Sequence, residues 1–210
     1  MASVTIFAAV ALLVWTVVYY THWVVLRRRF VAIAPGRVYQ SGAMSPRLLM
    51  RYARRYSIAT VIDFRGVSER GVFIEKQALE KAGIRHVNIP IGILPTRDDL
   101  RHFIEVMHAE LSTGATVLMH CKDGEGRAIA FAAIYRIEFE GWNALEAYRA
   151  ATRLPPGFRP ISILFPGAGL LSPRNVKTQF ILDYRPLRSP PETSTSAWIS
   201  QGAGPRTASE

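Results

Sequence analysis

Cys121 and Arg127 are separated by five intervening residues in the segment His120-Cys121-Lys122-Asp123-Gly124-Glu125-Gly126-Arg127. Cys121 is the only cysteine in the chain, so an intrachain disulfide and a cysteine-rich metal site are both excluded. A thiol followed at this distance by a guanidinium suits chemistry on an anion. Where a strand runs through a tight loop into a helix, the loop N–H groups and the helix dipole bind negative charge. Gly124 and Gly126 let such a loop curl without steric cost. The same field favours the thiolate, and Arg127 offers a planar fork to two phosphoryl oxygens, which a lysine cannot. A thiolate so placed attacks phosphorus in line and forms a thiophosphoryl intermediate that water resolves. The loop donors stabilise charge on the equatorial oxygens. Cys121 and Arg127 are the candidate catalytic residues, and Lys122, Gly124, Glu125 and Gly126 the candidate substrate-binding ones. The chemistry calls for no cofactor and no metal. The alternative is an ordinary strand-to-helix turn around a buried thiol.

The elements that must position this loop can be read from periodicity. Ala115–Met119 is an apolar strand leading into the cysteine, and Ala128–Phe139 is an apolar helix leaving the arginine. Upstream, Arg37–Gln40 and Ala59–Phe64 read as strands, and Arg85–Ile89 as a third that ends at Pro90. Ser45-Pro46 opens a helix to about Tyr56, with Ser as N-cap and Pro in the first turn. Further helices are expected over Val72–Lys81, over Arg97–Leu111 behind Thr96, over Asn143–Arg153 and over Asn175–Tyr184. Strands alternating with helices predict an α/β domain with a central, mostly parallel sheet flanked by helices.

The ends of the chain differ from this. Val4–Leu26 is a near-continuous apolar run without a charged side chain. About twenty such residues span a bilayer, and Trp15, Tyr19, Tyr20 and Trp23 gather in its second half, as interfacial rings do. Nothing basic precedes the run, and Pro35 follows the cleavage-like Ala32-Ile33-Ala34, so we read an uncleaved anchor rather than a signal peptide. Arg27, Arg28 and Arg29 follow directly and put the remainder in the cytoplasm, where a thiol stays reduced. From Arg27 to Arg55 there are eight arginines and no acidic residue, read as a topology signal and a solvated helix face. The formal net charge of +10 comes without a nucleic-acid-binding motif, so nucleic acid is not an expected partner. The expected organisation is an anchor with its basic stop over residues 1–29, a catalytic domain over 30–187 and a Ser/Pro/Thr/Gly-rich disordered tail over 188–210.

The motifs resemble the protein-tyrosine and dual-specificity phosphatase superfamily over nearly all of residues 36–187. Arg37-Val38-Tyr39-Gln40-Ser41-Gly42 is similar to the "VYRSGQ" opening of the bacterial and atypical dual-specificity group, Val61–Gly66 to its "VIDLRG" strand, and His120–Arg127 to its HCxxGxxR signature. The resemblance implies Cys121 as nucleophile, Arg127 as phosphate clamp and His120 as a support of the loop. Asp63 and Arg65 either brace the loop from the neighbouring strand or form a surface ion pair. Two departures stand out. Ala128 occupies the place where the family has Ser or Thr, whose hydroxyl helps sulfur leave. The segment Ile89–Pro95, where the family commonly supplies its general acid, contains no acid. Asp98 and Asp99 follow it but suit the first turn of a helix. Asp123 lies at the offset where the myotubularin lipid phosphatases carry an aspartate, and a bound phosphate would favour its protonated form by like charge. Lys122 follows the cysteine as in tensin-type lipid phosphatases. Together these imply a phosphatase for a phosphoprotein or a phosphoinositide at a membrane. A weak or inactive module that binds phosphorylated partners is the alternative. The "VYQSG" and "VIDFRG" segments argue against a rhodanese-like sulfurtransferase or an arsenate reductase.

Overall fold

The computed structural model describes residues 2–69, 71–152 and 176–187. A helix, α1 (Ala2–Tyr20), continues as a π-helical stretch over Thr21–Leu26. The run Val4–Leu26 is long and apolar enough to cross a membrane, and none of its most apolar window is buried against the protein.

The domain that follows holds β1 (Val31–Ala34), β2 (Val38–Gly42), α2 (Pro46–Tyr56), β3 (Ile58–Asp63), α3 (Val72–Lys81), β4 (Arg85–Asn88), α4 (Arg97–Ser112), β5 (Thr116–Cys121), α5 (Arg127–Glu140), α6 (Ala144–Ala151) and α7 (Val176–Asp183). The strand order is β1-β2-β5-β3-β4. β2, β5, β3 and β4 are parallel, and β1 alone is antiparallel, on the edge beside β2. The expected α/β class is therefore observed. The edge strand is the element that periodicity misses. Val31–Ala34 alternates too briefly to signal a strand, and it forms because Pro35-Gly36-Arg37 turns the chain back, with Gly36 at φ 78°. The cleavage-like Ala32-Ile33-Ala34 lies within it, and Ile33 is buried.

The helices form where expected, for the expected local reasons. Ser45 Oγ accepts from Leu48 N at the start of α2, and Thr96 with Asp99 forms a reciprocal capping box on α4. The helix expected from Asn143 has that residue as its N-cap and is described to Ala151. Residues 153–175 and the tail 188–210 lie outside the described residues. At the described C-terminal end, Tyr184 Oη and Leu187 N both donate to Glu138 Oε1 on α5, at 2.5 and 2.7 Å.

Strand alternation sorts the side chains of β5 to two faces. Val117, Met119 and Cys121 join the core under α4 and α5, with Phe64, Phe103 and Phe131. Leu118 joins the smaller core with Tyr39, Val61, Leu49 and Leu79, under α2 and α3. His120 shares that second side and meets the first turn of α3. One strand thus carries a thiol to the mouth of α5 and an imidazole to the opposite face.

Candidate active site

The loop from Lys122 to Gly126 is packed backbone on backbone against the end of β2. Gly124 has φ 73°, and a Cβ there would lie 2.6 Å from Gly42 N and 2.9 Å from Ser41 C. No other residue fits. Gly126 is different: its φ is −101° and its ψ −88°, outside the left-handed region. Its contribution is to leave the N-terminus of α5 without a side-chain cap, so the first-turn N–H groups stay available to an anion.

Three successive loop carbonyls are tied outward. Lys122 O accepts from Ala43 N at 3.0 Å, Asp123 O from Arg29 Nη1 at 2.7 Å, and Gly124 O from Gln40 Nε2 at 3.3 Å. In a trans peptide the C=O and N–H point in opposite directions. Fixing these carbonyls therefore turns the N–H groups of Asp123, Gly124 and Glu125 to the loop's inner side. Arg29, a residue that sequence reasoning assigns only to membrane topology, supplies one of the three ties and also pairs with Glu125. Its neighbour Arg28 donates from Nε to Ala43 O at 2.7 Å and accepts Gly42 N at its own carbonyl. Arg28 and Arg29 hold φ values of 50° and 54°, a left-handed conformation that non-glycine residues adopt at a cost. Glu125 is exposed, and its charge is matched by Arg29. Lys122 and Asp123 are exposed, and the Asp123 carboxyl makes no hydrogen bond or ion pair among the described residues.

Arg127 opens α5. Its Nη1 donates to Phe64 O at 2.8 Å, Glu69 Oε1 at 2.9 Å and Ile91 O at 3.2 Å. Among the described residues these are its hydrogen bonds, all through one nitrogen, so the guanidinium is oriented while Nε and Nη2 remain for another acceptor. Glu69 also accepts Gly66 N at 2.8 Å. Despite a contrary effect of burial, Arg127 and the Gly66 amide hold its carboxyl below the usual range.

Beneath the loop lies a buried charged cluster. Arg65 donates through its own N–H, Nε and Nη2 to the Asp63 carboxylate at 2.7–3.1 Å, and Nη2 reaches Glu75 Oε2 at 2.9 Å. His120 Nε2 lies 2.7 Å from Glu75 Oε1, and its Nδ1 lies 3.9 Å from Asp63. The Asp63–Arg65 pair is therefore buried beneath the strand that enters the loop and does not lie at the surface: Asp63 is 0 % and Arg65 4 % exposed. Burial opposes an imidazolium at His120, but the Glu75 and Asp63 carboxylates outweigh it and raise its pKa. For Asp63, burial alone would raise the pKa. His86, Arg65 and His120 overcome that and hold the carboxyl well below the usual range. His86 Nε2 completes the cluster, 3.6 Å from Asp63 and 3.9 Å from Glu75, without a hydrogen bond. Both carboxylates are already committed to Arg65, so the guanidinium takes the place a cation would need.

Glu75 and Glu69 are the functional residues that sequence reasoning misses. Glu75 leaves a signal: it falls with Val72 and Leu79 on the buried stripe of α3, where an acid needs a partner. Glu69, in a short turn, leaves none. The other acid candidates are employed elsewhere. Asp99 accepts Thr96 N and Oγ1 in the capping box, and Asp98 pairs with Arg101 in solvent. Ala128 is fully buried.

A family model described as "DSP-PTPase phosphatase fused to NAD+ Kinase" matches residues 38–154. No curated protein is matched by sequence. Among solved structures, Tk-PTP in its active form is similar at 25% identity and a TM-score of 0.53, covering 61% of this chain and 85% of that one. PTPMT1 is similar at 20% identity and 0.53, covering 60% and 83%. The core catalytic domain of the PP-IP phosphatase SIW14 from S. cerevisiae, in complex with citrate, is similar at 17% and 0.54, covering 74% and 85%. The matched region spans more than half of the chain and contains the whole loop with the cluster beneath it, and the chain belongs to this DSP-PTPase family of phosphatases.

Proposed function

We propose that the chain hydrolyses phosphomonoesters at a membrane surface, with Cys121 as nucleophile. The observation that carries this reading is the outward tie of three carbonyls directly after Cys121, which turns three N–H groups toward an incoming phosphate. Arg127 adds its Nε and Nη2 donors. The Cys121 thiolate attacks phosphorus, the bond from phosphorus to the ester oxygen breaks, and that oxygen takes a proton from Asp123. Water then attacks phosphorus and gives a proton to the Asp123 carboxylate, the P–S bond breaks, and the thiolate is restored as phosphate leaves.

The anchor sets where this occurs. Val4–Leu26 spans the bilayer once, and the arginines after it face the cytoplasm. Arg29 is three residues beyond Leu26, so its backbone lies within about 10 Å of the end of the span and its side chain reaches the loop from there. The substrate's phosphate therefore sits at the surface, on a lipid headgroup or a membrane-proximal protein segment. Ile93 and Leu94 are exposed on the segment whose Ile91 carbonyl meets Arg127, which adds an apolar wall and suits a lipid such as a phosphoinositide.

Release of phosphate from an aryl phosphate by the full chain, compared with Cys121→Ser, tests the reaction; wild type no faster than the variant refutes it. The buried Ala128 favours one second reading, a slow enzyme that holds phosphorylated partners, because no hydroxyl at that position assists loss of sulfur. Phosphopeptide and phosphoinositide panels then separate the two substrate classes.

A further inference from the structure

The basic stretch after the anchor is only partly accounted for by the loop. Arg28 and Arg29 face the active site, whereas Arg27 faces α2. Phe30 fixes this arrangement. It is buried, and its ring lies 5.1, 4.4 and 4.8 Å from those of Tyr39, Tyr52 and Tyr56. The end of the anchor is thereby packed against α2, and between them is a cavity of about 440 Å³. Arg27, Arg51 and Arg55 line it, with Leu26, Leu48 and Tyr52.

Its charges are incomplete. Arg51 and Arg55 are one helical turn apart, so like charges adjoin. From Arg27 to Arg55 the chain has no Asp or Glu, and no carboxylate among the described residues pairs with any of the three arginines. Arg27 and Arg55 lie instead over the rings of Trp23 and Tyr56, each at 5.7 Å. An anion would supply the missing counter-charge, and guanidinium forks suit phosphate oxygens. The height of the cavity indicates which anion. Leu26 is the last residue of the apolar span, and Val25 and Leu26 are exposed beside it. A phosphate at that level with an apolar body along the helix describes a phospholipid.

We propose that this cavity is a headgroup site for an anionic glycerophospholipid of the leaflet facing the domain. It rests on the anchor and is independent of the chemistry at Cys121. The test places the full chain in phosphatidylcholine bilayer discs containing a minor fraction of spin-labelled phosphatidylglycerol. The measurement is the motionally restricted lipid, with and without inorganic phosphate. Wild type is expected to prefer phosphatidylglycerol over labelled phosphatidylcholine. Arg51→Gln and Arg55→Gln should each weaken that preference about fivefold. Arg54→Gln makes the same charge change on the same helix outside the cavity and should alter it less than about twofold. Hydrolysis of an aryl phosphate should be unchanged in all three. An equal loss in Arg54→Gln would show a diffuse basic surface and overturn the site. So would displacement of the label by inorganic phosphate at moderate concentration, absence of any preference in wild type, or recovery of the chain outside the discs.

Discussion

The underside and the outer rim of the phosphate loop are built differently. Beneath it, Asp63, Arg65, Glu75 and His120 are buried and tied to one another by several contacts each. On the rim, Lys122, Asp123 and Glu125 are exposed, and the rim's main outside contact is one arginine from the segment that leaves the anchor. The underside holds His120, the residue before Cys121, in a fixed place. The rim carries the groups proposed for proton transfer, beside Ala128, where the family usually has a hydroxyl. In the proposed reaction, binding therefore rests on several buried contacts, whereas turnover depends on a few exposed groups.

The strongest challenge to this contrast is Glu75→Ala. It leaves Arg65 and His120 short of a buried partner and should cost about 3–5 kcal/mol in denaturant unfolding. A loss below about 1 kcal/mol, typical of a surface pair, would remove the structural role of the cluster.

The same cluster sets a pH dependence. The folded pKa of His120 is raised above its unfolded value of about 6.5. Its stabilisation is therefore complete below about pH 6.5 and is lost as pH rises through the folded value. Asp63 and Glu69, whose pKa values are lowered, act in reverse: their contribution is present above about pH 4 and lost as pH falls through the folded values. Unfolding midpoints should decline toward alkaline pH in wild type, and His120→Asn should abolish that decline. An unchanged slope would show that His120 is not the titrating group.

On the rim, Arg29→Ala should raise KM for an aryl phosphate about tenfold, the loss expected for a charged hydrogen bond, with kcat within about twofold and unfolding nearly unchanged. Arg29→Lys should recover part of the loss. Equal falls in stability and activity would mean that Arg29 only holds the fold. The smallest effects concern turnover. Ala128→Ser should speed intermediate hydrolysis up to about tenfold and shrink any burst. Asp123→Asn should slow substrates with poor leaving groups and remove the acid-dependent limb. A flat response to both would place proton transfer outside the rim.

Most of the scaffold could be read from the sequence because its determinants are local. Ser45-Pro46 and Thr96 start helices within one turn, and apolar runs mark β3 and β5. The loop was legible for the same reason, since Cys121, Gly124 and Arg127 act within eight residues. What escaped depends on tertiary approach. Glu75 reaches His120 across 45 positions and Arg29 reaches Asp123 across 94, separations that no periodicity encodes. β1 escaped because its pairing is set by a turn and an edge. The sequence suggests glycine's freedom at both Gly124 and Gly126, and only the structure places the left-handed φ and the close approach to β2 at Gly124.

In the proposed reaction Cys121 forms a covalent bond to phosphorus. The most direct measurement is acid-quench trapping of protein-bound phosphate from a labelled aryl phosphate, with wild type and Cys121→Ser side by side. Label is expected on Cys121 in wild type and none in the variant, with a fall in phosphate release of about a thousandfold or more. Phosphate release that persists in Cys121→Ser would contradict it.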